Sequence, residues 1–203
     1  MGRRVNGLDA RQRETLRKES ILDAALTLFA ERGYSSVSIE ELCRHAHVST
    51  KSFYLSFQDR EECYLLLMRR TAQRIKSEFL EFLDTEISEA ADSETLLLKA
   101  LASAFGDDQR YGLVLFGRGS ATTPAVERER RINRRWAASF LTEIWSRLLP
   151  GVAIQAGVAS GVIGGFFNII ADWISDLVEL EDADTVELYT SLSNFYDVVK
   201  PGK

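Results

Sequence analysis

The chain of 203 residues has a formal net charge of −5, with 45% hydrophobic and 27% charged residues, so it can bury a sizeable core as one compact unit or as a small domain joined to a larger one. Two cysteines in a chain of this length exclude a disulfide framework, and the basic N-terminus, which no apolar stretch follows, excludes a secretory signal, so a cytoplasmic protein is predicted. The charge is unevenly spread, since residues 1–20 contain six cations and three acids, which is compatible with a DNA-binding head on an acidic body.

The first predicted element is an amphipathic helix that precedes a compact motif. Apolar residues recur at helical spacing through Ile21, Ala24, Ala25 and Leu28. Gly33 is expected to end this helix in the left-handed conformation, which glycine adopts without strain. The arm formed by residues 1–8 has no such pattern and is predicted to be flexible.

Residues 38–54, with the sequence SIEELCRHAHVSTKSFY, are predicted to form two short helices joined by a tight turn. Ser38 and Glu41 have the spacing of a capping box, and Ser49 can cap the second helix. The chain must reverse between them, and His47 is the predicted residue with positive φ, because His is enriched in that region. Two capped helices around such a turn make a helix-turn-helix, which places its second helix in the major groove of DNA.

Apolar residues flank each of these caps at the spacing of a hydrophobic staple. Val37 can pack on Leu42, and Val48 can pack on Phe53. Asp59 is the predicted cap of a fourth helix that follows the motif. The motif is therefore predicted to belong to a small helical domain with its own core.

In this region the sequence resembles the tetracycline-repressor (TetR) family of bacterial regulators. The matching residues are Ile21-Leu22-Asp23-Ala24-Ala25, Leu28-Phe29, Gly33-Tyr34, Ser38-Ile39, Val48-Ser49, Phe53-Tyr54, Phe57 and Arg60-Glu61. The family usually has Gly where this chain has His47, often a small residue in place of Lys51, and Lys in place of Arg60. The resemblance implies a DNA-binding domain over residues 1–58 and a helical ligand-binding and dimerisation domain over residues 59–203.

The predicted contacts with a double-stranded DNA operator lie on the second helix of the motif and beside it. Lys51, together with Thr50, is expected to reach base edges, because both lie on the first turn of the recognition helix. The resemblance implies that Tyr54, Ser38 and Arg60 hold phosphates, which positions a protein without reading sequence. The full set of candidate DNA-binding residues is Arg3, Arg4, Ser38, Ser49, Thr50, Lys51, Ser52, Tyr54 and Arg60.

Beyond Phe57 the apolar spacing predicts further helices and no alternating pattern typical of strands. The predicted helices span residues 59–83, 93–105, 107–116, 124–149, 152–180 and 184–199, with Ser93 as the cap of the second of these. Thr123 and Pro124 give one helix a cap followed by proline at its first position, and Pro150 stops it. The predicted fold class is all-α, with three helices around the DNA-binding motif and then a larger helical bundle.

The second domain is rich in aromatic residues, and the resemblance implies that it encloses a pocket for a small, largely apolar inducer. Sites of that kind have apolar walls and a few polar groups that fix the orientation of the ligand. The candidate ligand-binding residues are Phe105, Tyr111, Arg118, Trp136, Phe140, Phe166 and Asn168, with Arg135 and Asp172 as further polar candidates.

Residues 152–171 form an uncharged stretch in which three glycines recur at four-residue spacing. Length and spacing are typical of a membrane helix with a close-packing face. The polar residues within it and the acidic residues that follow favour an interface helix in a soluble protein. By resemblance, this helix and the last one pair with their copies in a homodimer, and the candidate dimerisation residues are Gly157, Gly161, Gly165, Leu188, Leu192 and Phe195.

Two further patterns have alternative interpretations. Cys43, His45 and His47 have the composition of a metal site, but helical residues two apart point to nearly opposite sides, so no metal site is predicted. The charged run that follows could be a second nucleic-acid patch, although an ion pair between Glu127 and Arg131, four residues apart, is the simpler interpretation. No grouping of residues suggests catalysis, and neither an enzyme nor a cofactor is predicted.

These expectations combine into a homodimeric transcriptional regulator, most simply a repressor. Its affinity for a pseudo-palindromic operator would fall when an inducer fills the second domain. Two alternatives remain open, a constitutive DNA-binding regulator without an inducer and a membrane-associated helical adaptor anchored by the glycine-spaced segment.

Overall fold

The computed structural model describes residues 9–86, 93–117, 123–155, 157–180 and 184–202. Within these ranges the chain forms α-helices joined by turns, with no strand. The helices are α1 (Ala10–Arg32), α2 (Ile39–His45), α3 (Thr50–Ser56), α4 (Arg60–Glu86), α5 (Ser93–Gly106), α6 (Gln109–Phe116), α7 (Pro124–Leu148), α8 (Val158–Leu180) and α9 (Thr185–Val199). We call α1–α3 the head and α4–α9 the body. The predicted all-α fold class is confirmed.

α1 begins earlier than the apolar spacing indicates, because its first turn is held by polar capping. Asp9 and Gln12 form a capping box in which both reciprocal N–H···O bonds measure 2.8 Å. Gly33 ends the helix with φ 74° and ψ 156°. The positive φ agrees with the sequence, but the expected left-handed helical conformation is wrong, since the chain leaves Gly33 extended and enters a short 3-10 turn, Tyr34–Ser36.

The head is held together by side chains at the staple positions and by aromatic rings. Leu42 and Phe53 have no exposed surface, so both helices of the motif are fixed to one core. On the side of α1, the ring centroid of Tyr34 lies 5.6 Å from that of Phe29 and 5.0 Å from that of Tyr64. Such ring pairs stabilise a core beyond the area that they bury, and this cluster joins α1 to α4.

Three helix boundaries in the body differ from those predicted. α5 includes Ser93 as its first residue, so Ser93 is not its cap. α6 starts at Gln109 because the Asp108 carboxylate accepts a backbone N–H of its first turn. α8 starts at Val158 and not at residue 152, because Gly157 has φ 87°, which lies outside the right-handed helical region.

α8 packs against α6, α7 and α9. Its inward face is buried at Ile170 and Ile174, whereas Asp172 and Asp176 are exposed. Among the described residues, the segment Val158–Asp176 is long and apolar enough to span a membrane. The polar residues on its outer face favour a core helix of a globular protein over a membrane anchor.

The head packs directly on the body through α1, α4 and α6. The buried hydroxyl of Tyr64, on α4, donates to the carbonyl of Val114, on α6, at 2.6 Å. At the surface, Arg70 of α4 forms ion pairs with Glu19 and Asp23 of α1, each at 2.8 Å. Partly exposed pairs of this kind contribute little stability each, but together these contacts fix the position of α4 relative to the head.

Candidate DNA-binding surface and ligand cavity

The turn between α2 and α3 is a Schellman motif centred on His47. His47 has φ 55°, as predicted for the residue at which the chain reverses. Its backbone N–H donates to the carbonyl of Arg44 at 3.3 Å, and the N–H of Val48 donates to the carbonyl of Cys43 at 2.9 Å. These two bonds define the motif, so the turn satisfies the end of α2 and fixes the direction in which α3 leaves.

The first turn of α2 is closed by the predicted capping box. The Ser38 hydroxyl oxygen accepts from the Glu41 N–H at 3.2 Å, and the Glu41 carboxylate accepts from the Ser38 N–H at 2.9 Å. The bond from the Ser38 backbone is the largest cause that lowers the pKa of Glu41 to about 2. The Ser38 hydroxyl also donates to Glu41 at 2.8 Å, so its hydrogen is already used within the chain.

α3 has one buried anchor and an exposed outer face. Phe53 is fully buried, whereas Thr50, Lys51 and Tyr54 are exposed. Leu55, one turn after Lys51, is 66% exposed and was not singled out in the sequence. The helical spacing of Lys51 and Leu55 would have indicated that both lie on one ridge. The outer face therefore presents a cation, hydroxyl groups and an apolar group in one short row.

Ser49 and Ser52, both predicted DNA contacts, bind each other at the start of α3. The Ser49 hydroxyl accepts from the Ser52 backbone N–H at 3.1 Å, and the two hydroxyl oxygens lie 3.0 Å apart. Ser49 is exposed and Ser52 is half-buried. Their shared role within the chain is to hold the first turn of α3.

Arg60 has an intramolecular role that the sequence did not reveal. Its guanidinium donates to the carbonyl of Val37 at 2.5 Å and lies 4.4 Å from the centroid of the Tyr34 ring. Both partners precede α2, so Arg60 ties the start of α4 to the head. The two arginines predicted to form a DNA-contacting arm, Arg3 and Arg4, lie outside the described residues.

A cavity of about 280 Å³ lies in the body, and residues of all six helices α4–α9 line it. Most of its lining is aliphatic and aromatic, and its volume is close to the lower limit of about 300 Å³ for small-molecule sites. Its polar and charged lining residues include Lys76, Glu94, Arg130, Asn133, Arg134 and Tyr196. The body therefore contains a largely apolar cavity with a small number of polar groups in its lining.

Most of the predicted ligand-binding residues line this cavity, namely Phe105, Trp136, Phe140, Phe166 and Asn168. The rings of Trp136 and Phe140 stack with their centroids 5.1 Å apart. Of the other two candidates, Tyr111 does not line the cavity. Arg118 lies outside the described residues.

Tyr111 is not a lining residue of this cavity, because α6 turns it towards the head. Its hydroxyl accepts a hydrogen bond from Arg74, and its ring is buried between head and body. Arg135 and Asp172 are exposed and do not line the cavity either. Arg135 follows the lining residue Arg134 directly, and one step along a helix turns a side chain by about 100°.

The charged residues that line the cavity were not among the predicted ligand-binding residues. In the linear sequence, inward and outward cations of α7 alternate within one charged segment. Arg130, Asn133 and Arg134 share one face of α7. The predicted pair of Glu127 with Arg131 is wrong, since Glu127 pairs with Arg130 at 2.5 Å. A projection of α7 onto its helical face would have separated the inward cations from the outward ones.

Cys43 and the two histidines of the motif do not converge on a common point. Cys43 is buried in the head, whereas His45 and His47 are exposed. Burial, together with the charge of Glu40, raises the pKa of Cys43, and burial raises the pKa of Cys63 to about 12. Both thiols therefore stay protonated and act as small apolar core residues.

Several of the predicted dimerisation residues are buried inside a single chain. Leu188 and Leu192 have 0% exposure, so their assignment to a dimer surface is wrong. Gly165 lies against Phe195, and a Cβ at Gly165 would overlap that ring. The physical reason is that α9 folds back onto α8 of the same chain and covers this part of the glycine ridge.

The outer faces of α8 and α9 remain open. A Cβ built at Gly161 or Gly164 would meet no heavy atom within 4 Å, and the same holds for Gly157, which precedes α8. On α9, Val186 is 65% exposed and Val198 is 80% exposed. The accessible surface therefore includes the predicted residues Gly157 and Gly161. It also includes Val186 and Val198, which were not predicted.

Comparison with known proteins gives a family match over the head and the start of α4. Residues 21–67 match the model of a family described as bacterial regulatory proteins, tetR family. The negative transcriptional regulator IcaR of the biofilm operon icaADBC of Staphylococcus epidermidis is 26% identical over 94 residues, which are 46% of this chain and 49% of that protein. The fatty acid metabolism regulator of Bacillus subtilis is 23% identical over 144 residues, which are 70% of this chain and 69% of that protein. The match to IcaR thus spans about half the length of that relative.

Solved structures match over most of the chain. A TetR-family transcriptional regulator from Syntrophomonas wolfei has a TM-score of 0.71 at 19% identity, covering 90% of this chain and 94% of that one. The transcriptional regulator FadR of Bacillus subtilis, in complex with stearoyl-CoA, has a TM-score of 0.68 at 19% identity, covering 90% and 97%. These two structures share with this chain the arrangement of a helix-turn-helix head on a helical body. Residues 21–67, which span most of the head and the start of α4, therefore have the sequence pattern of the tetR family of bacterial regulatory proteins.

Proposed function

We propose that the protein is a homodimeric, cytoplasmic transcriptional repressor that releases a pseudo-palindromic DNA operator when a small, largely apolar molecule fills the body cavity. The observation that carries this proposal is the outer face of α3, where Thr50, Lys51 and Tyr54 are exposed above the buried Phe53. Repression agrees with the name of the Staphylococcus epidermidis relative, a negative regulator. We place the boundary between the DNA-binding domain (residues 1–58) and the ligand-binding domain (residues 59–203) at the cap of α4.

DNA recognition is proposed to divide between base edges and phosphates. Lys51 is suited to the acceptor atoms of guanine in the major groove, with Thr50 beside it. Tyr54 flanks that face and is proposed to hold a phosphate, as is any donor of Arg60 that its intramolecular bonds leave available. Ser38 could hold a phosphate only by exchanging its hydrogen bond to Glu41 for one to the DNA. Two heads related by a two-fold axis would enter successive major grooves about 34–36 Å apart.

The ligand is proposed to be largely apolar because the cavity walls are. Phe105, Phe140 and Phe166 contribute aromatic surface, and Trp136 stacks on one of them. The Bacillus subtilis structure with a similar fold holds stearoyl-CoA, which carries an alkyl chain. An alkyl or acyl chain is therefore the first class of compound to test.

Ligand binding is proposed to reach the head through α4 and α6, which both line the cavity. On α4, Met68 and Ala72 lie in the cavity wall. Met68 is one turn after Tyr64, which packs on the head, and Arg70, which forms ion pairs with the head, lies between Met68 and Ala72 in the sequence. On α6, Leu115 lines the cavity next to the carbonyl that Tyr64 binds. The heads are proposed to have two arrangements, one that fits the operator and one that does not. A ligand can shift the equilibrium between them only by the difference in its affinity for the two.

The dimer is proposed to form through the open faces of α8 and α9. Gly161 and Gly164 allow another helix to approach closely, and Val186 and Val198 supply apolar area. A two-fold interface uses the same patch on both subunits, so one substitution there acts twice. Gly161→Glu is expected to give monomers, because it places two carboxylates in one buried seam.

The experiment that tests the proposal is selection of duplexes from a random pool by the purified protein, followed by footprinting. An enriched pseudo-palindrome protected on successive major grooves is expected. Enrichment of no sequence would contradict the proposed function, and light scattering that gives 22.9 kDa, the mass of one chain, would contradict the dimer. Protection that no apolar compound relieves would favour the constitutive regulator.

A further inference from the structure

The two ends of the body cavity differ in chemistry. The distance between them can be measured along α7, which lines both ends. At one end the ammonium of Lys76 lies 3.1 Å from the side-chain oxygen of Asn133. At the other end the indole N–H of Trp145 donates to the hydroxyl of Tyr196 at 2.9 Å. At 1.5 Å per residue, about 17 Å of helix separates the lining residues Asn133 and Ile144 of α7. The cavity is therefore an elongated site with two distinguishable ends.

The end at Asn133 is cationic and only partly hydrated. Lys76 is half-buried, donates to a neutral amide, and lies 4.9 Å from the centroid of the Trp136 ring. Burial lowers the pKa of Lys76, and the charge of Glu129 opposes that change. Arg130 and Arg134 line the cavity from the adjacent face of α7, and Arg134 is exposed.

The end at Tyr196 is closed by hydrogen bonds among protein groups. The Tyr196 hydroxyl donates to the Glu94 carboxylate at 2.9 Å, and the ammonium of Lys200 donates to the same carboxylate at 2.7 Å. Both carboxylate oxygens therefore have partners within the chain. A second anion placed here would meet the negative charge of Glu94, whereas an alkyl end would meet the neighbouring apolar wall, which includes Ile144.

We propose, building on the proposed function, that the cavity binds a single-chain amphiphile whose anionic head lies at Lys76 and Arg134 and whose alkyl chain extends towards Tyr196. A half-buried ammonium whose hydrogen-bond partner is a neutral amide gains direct charge attraction from an anion, and this attraction is stronger where water screens it less. The same ammonium repels a cationic head. Glu94 disfavours a second anion at the far end, so a chain with one acidic head binds better than one with two.

The test compares heads on one chain length by titration calorimetry, with the full-length protein and no DNA. Decanoate is expected to bind more tightly than decanol, decanedioate and decylammonium. Decanol has no charge for Lys76, decylammonium has the wrong charge, and decanedioate has a second anion at the far end. Lengthening the acid should tighten binding about fourfold per methylene until the cavity is filled, from about 0.8 kcal/mol per buried CH₂. Decanoyl-CoA is compared with decanoate to show whether the head is a carboxylate or a phosphate.

The residue-level test uses Lys76→Gln with Lys99→Gln as its matched control. Lys99 is exposed on α5 and does not line the cavity. Lys76→Gln should weaken the anionic amphiphile about 10- to 100-fold, the loss expected for one charge-assisted hydrogen bond, and weaken decanol much less, because a hydroxyl group carries no charge. Lys76→Arg should restore most of the loss, and Lys99→Gln should change neither compound.

Equal binding of decanoate and decanol, or tighter binding of decylammonium, would overturn the inference while leaving an apolar cavity ligand in place. Unchanged decanoate binding in Lys76→Gln, with Arg134→Gln also unchanged, would overturn the placement of the head. Failure of every amphiphile to bind would overturn the ligand class. None of these results depends on DNA, so failure of the proposed repressor function is detected separately, by the footprint.

Discussion

The head and the body of this protein are specified by their sequence in different ways. In the head, each helix carries its own start and stop signals, such as the capping box of Ser38 and Glu41 and the Schellman turn at His47. In the body, the functional residues are chosen by the face that each long helix turns inward, as for Arg130 and Arg134 on α7. Local chemistry thus determines the reading surface, whereas tertiary packing determines the cavity.

The largest effect that tests this difference concerns the anchor of α3. Phe53→Ala should lower the free energy of unfolding by about 3–5 kcal/mol, because it removes a fully buried ring from a small core. Chemical denaturation measures it, with Tyr54→Ala as control, since that exposed neighbour should change stability by no more than about 0.5 kcal/mol. Similar losses for both variants would show that α3 is not anchored by Phe53.

The next effect concerns reading by the head. Lys51→Ala should cost about 1–3 kcal/mol of operator affinity and relax specificity at one position of each half-site, if Lys51 contacts a base. If Lys51 holds only phosphate, affinity should fall equally on all duplexes and the salt dependence should shrink by about one unit of slope. Fluorescence anisotropy with specific and random duplexes measures both. Affinity unchanged on both would contradict either role.

A smaller effect of opposite sign is expected at the turn. His47→Gly should stabilise the head by about 1 kcal/mol, because a side chain at positive φ costs about 1–2 kcal/mol and glycine avoids that cost. His45→Gly, two residues earlier and within α2, should destabilise it by about 0.3–0.5 kcal/mol, because glycine has a lower helix propensity than histidine. Denaturation midpoints that move in the same direction for the two variants would show that the turn does not determine the outcome.

The smallest effect is the pH dependence of the α2 cap. The pKa of Glu41 is lowered from 4.5 to about 2 in the folded chain. Its contribution to stability is therefore complete above about pH 4.5 and is lost as the pH falls towards 2. Glu41→Gln should have a flatter stability profile between these values than the wild type, and Glu40→Gln serves as the neighbouring control. A wild-type profile that is no steeper than that of Glu41→Gln would contradict the capping role.

The sequence was sufficient for the features that depend on neighbouring residues. The caps at Ser38, Ser49 and Thr123 follow from spacing alone, and so does the positive φ of His47. The predicted start of α8, residue 152, was wrong. The uncharged stretch gives no sign that Gly157 has a positive φ, which delays the helix until Val158.

The errors in the predicted sites have one physical cause, the arrangement of helices that are distant in sequence. Leu188 and Leu192 were predicted to be interface residues because they lie on the apolar face of α9. That face is buried because α9 folds onto α5 and α8 of its own chain. Tyr111 is an aromatic candidate for the cavity until α6 turns it towards Arg74. Lys76 was overlooked, because only the packing of α4 beside α7 brings it next to Asn133.

The central claim is that occupation of the body cavity changes DNA binding by the head. The most direct measurement is the anisotropy of a labelled operator titrated with protein, in the absence and presence of a ligand at a concentration that calorimetry shows to be saturating. The account predicts operator affinity about 5- to 150-fold weaker with ligand, the usual range of coupling between two sites. The same operator affinity with the cavity empty and saturated would contradict it.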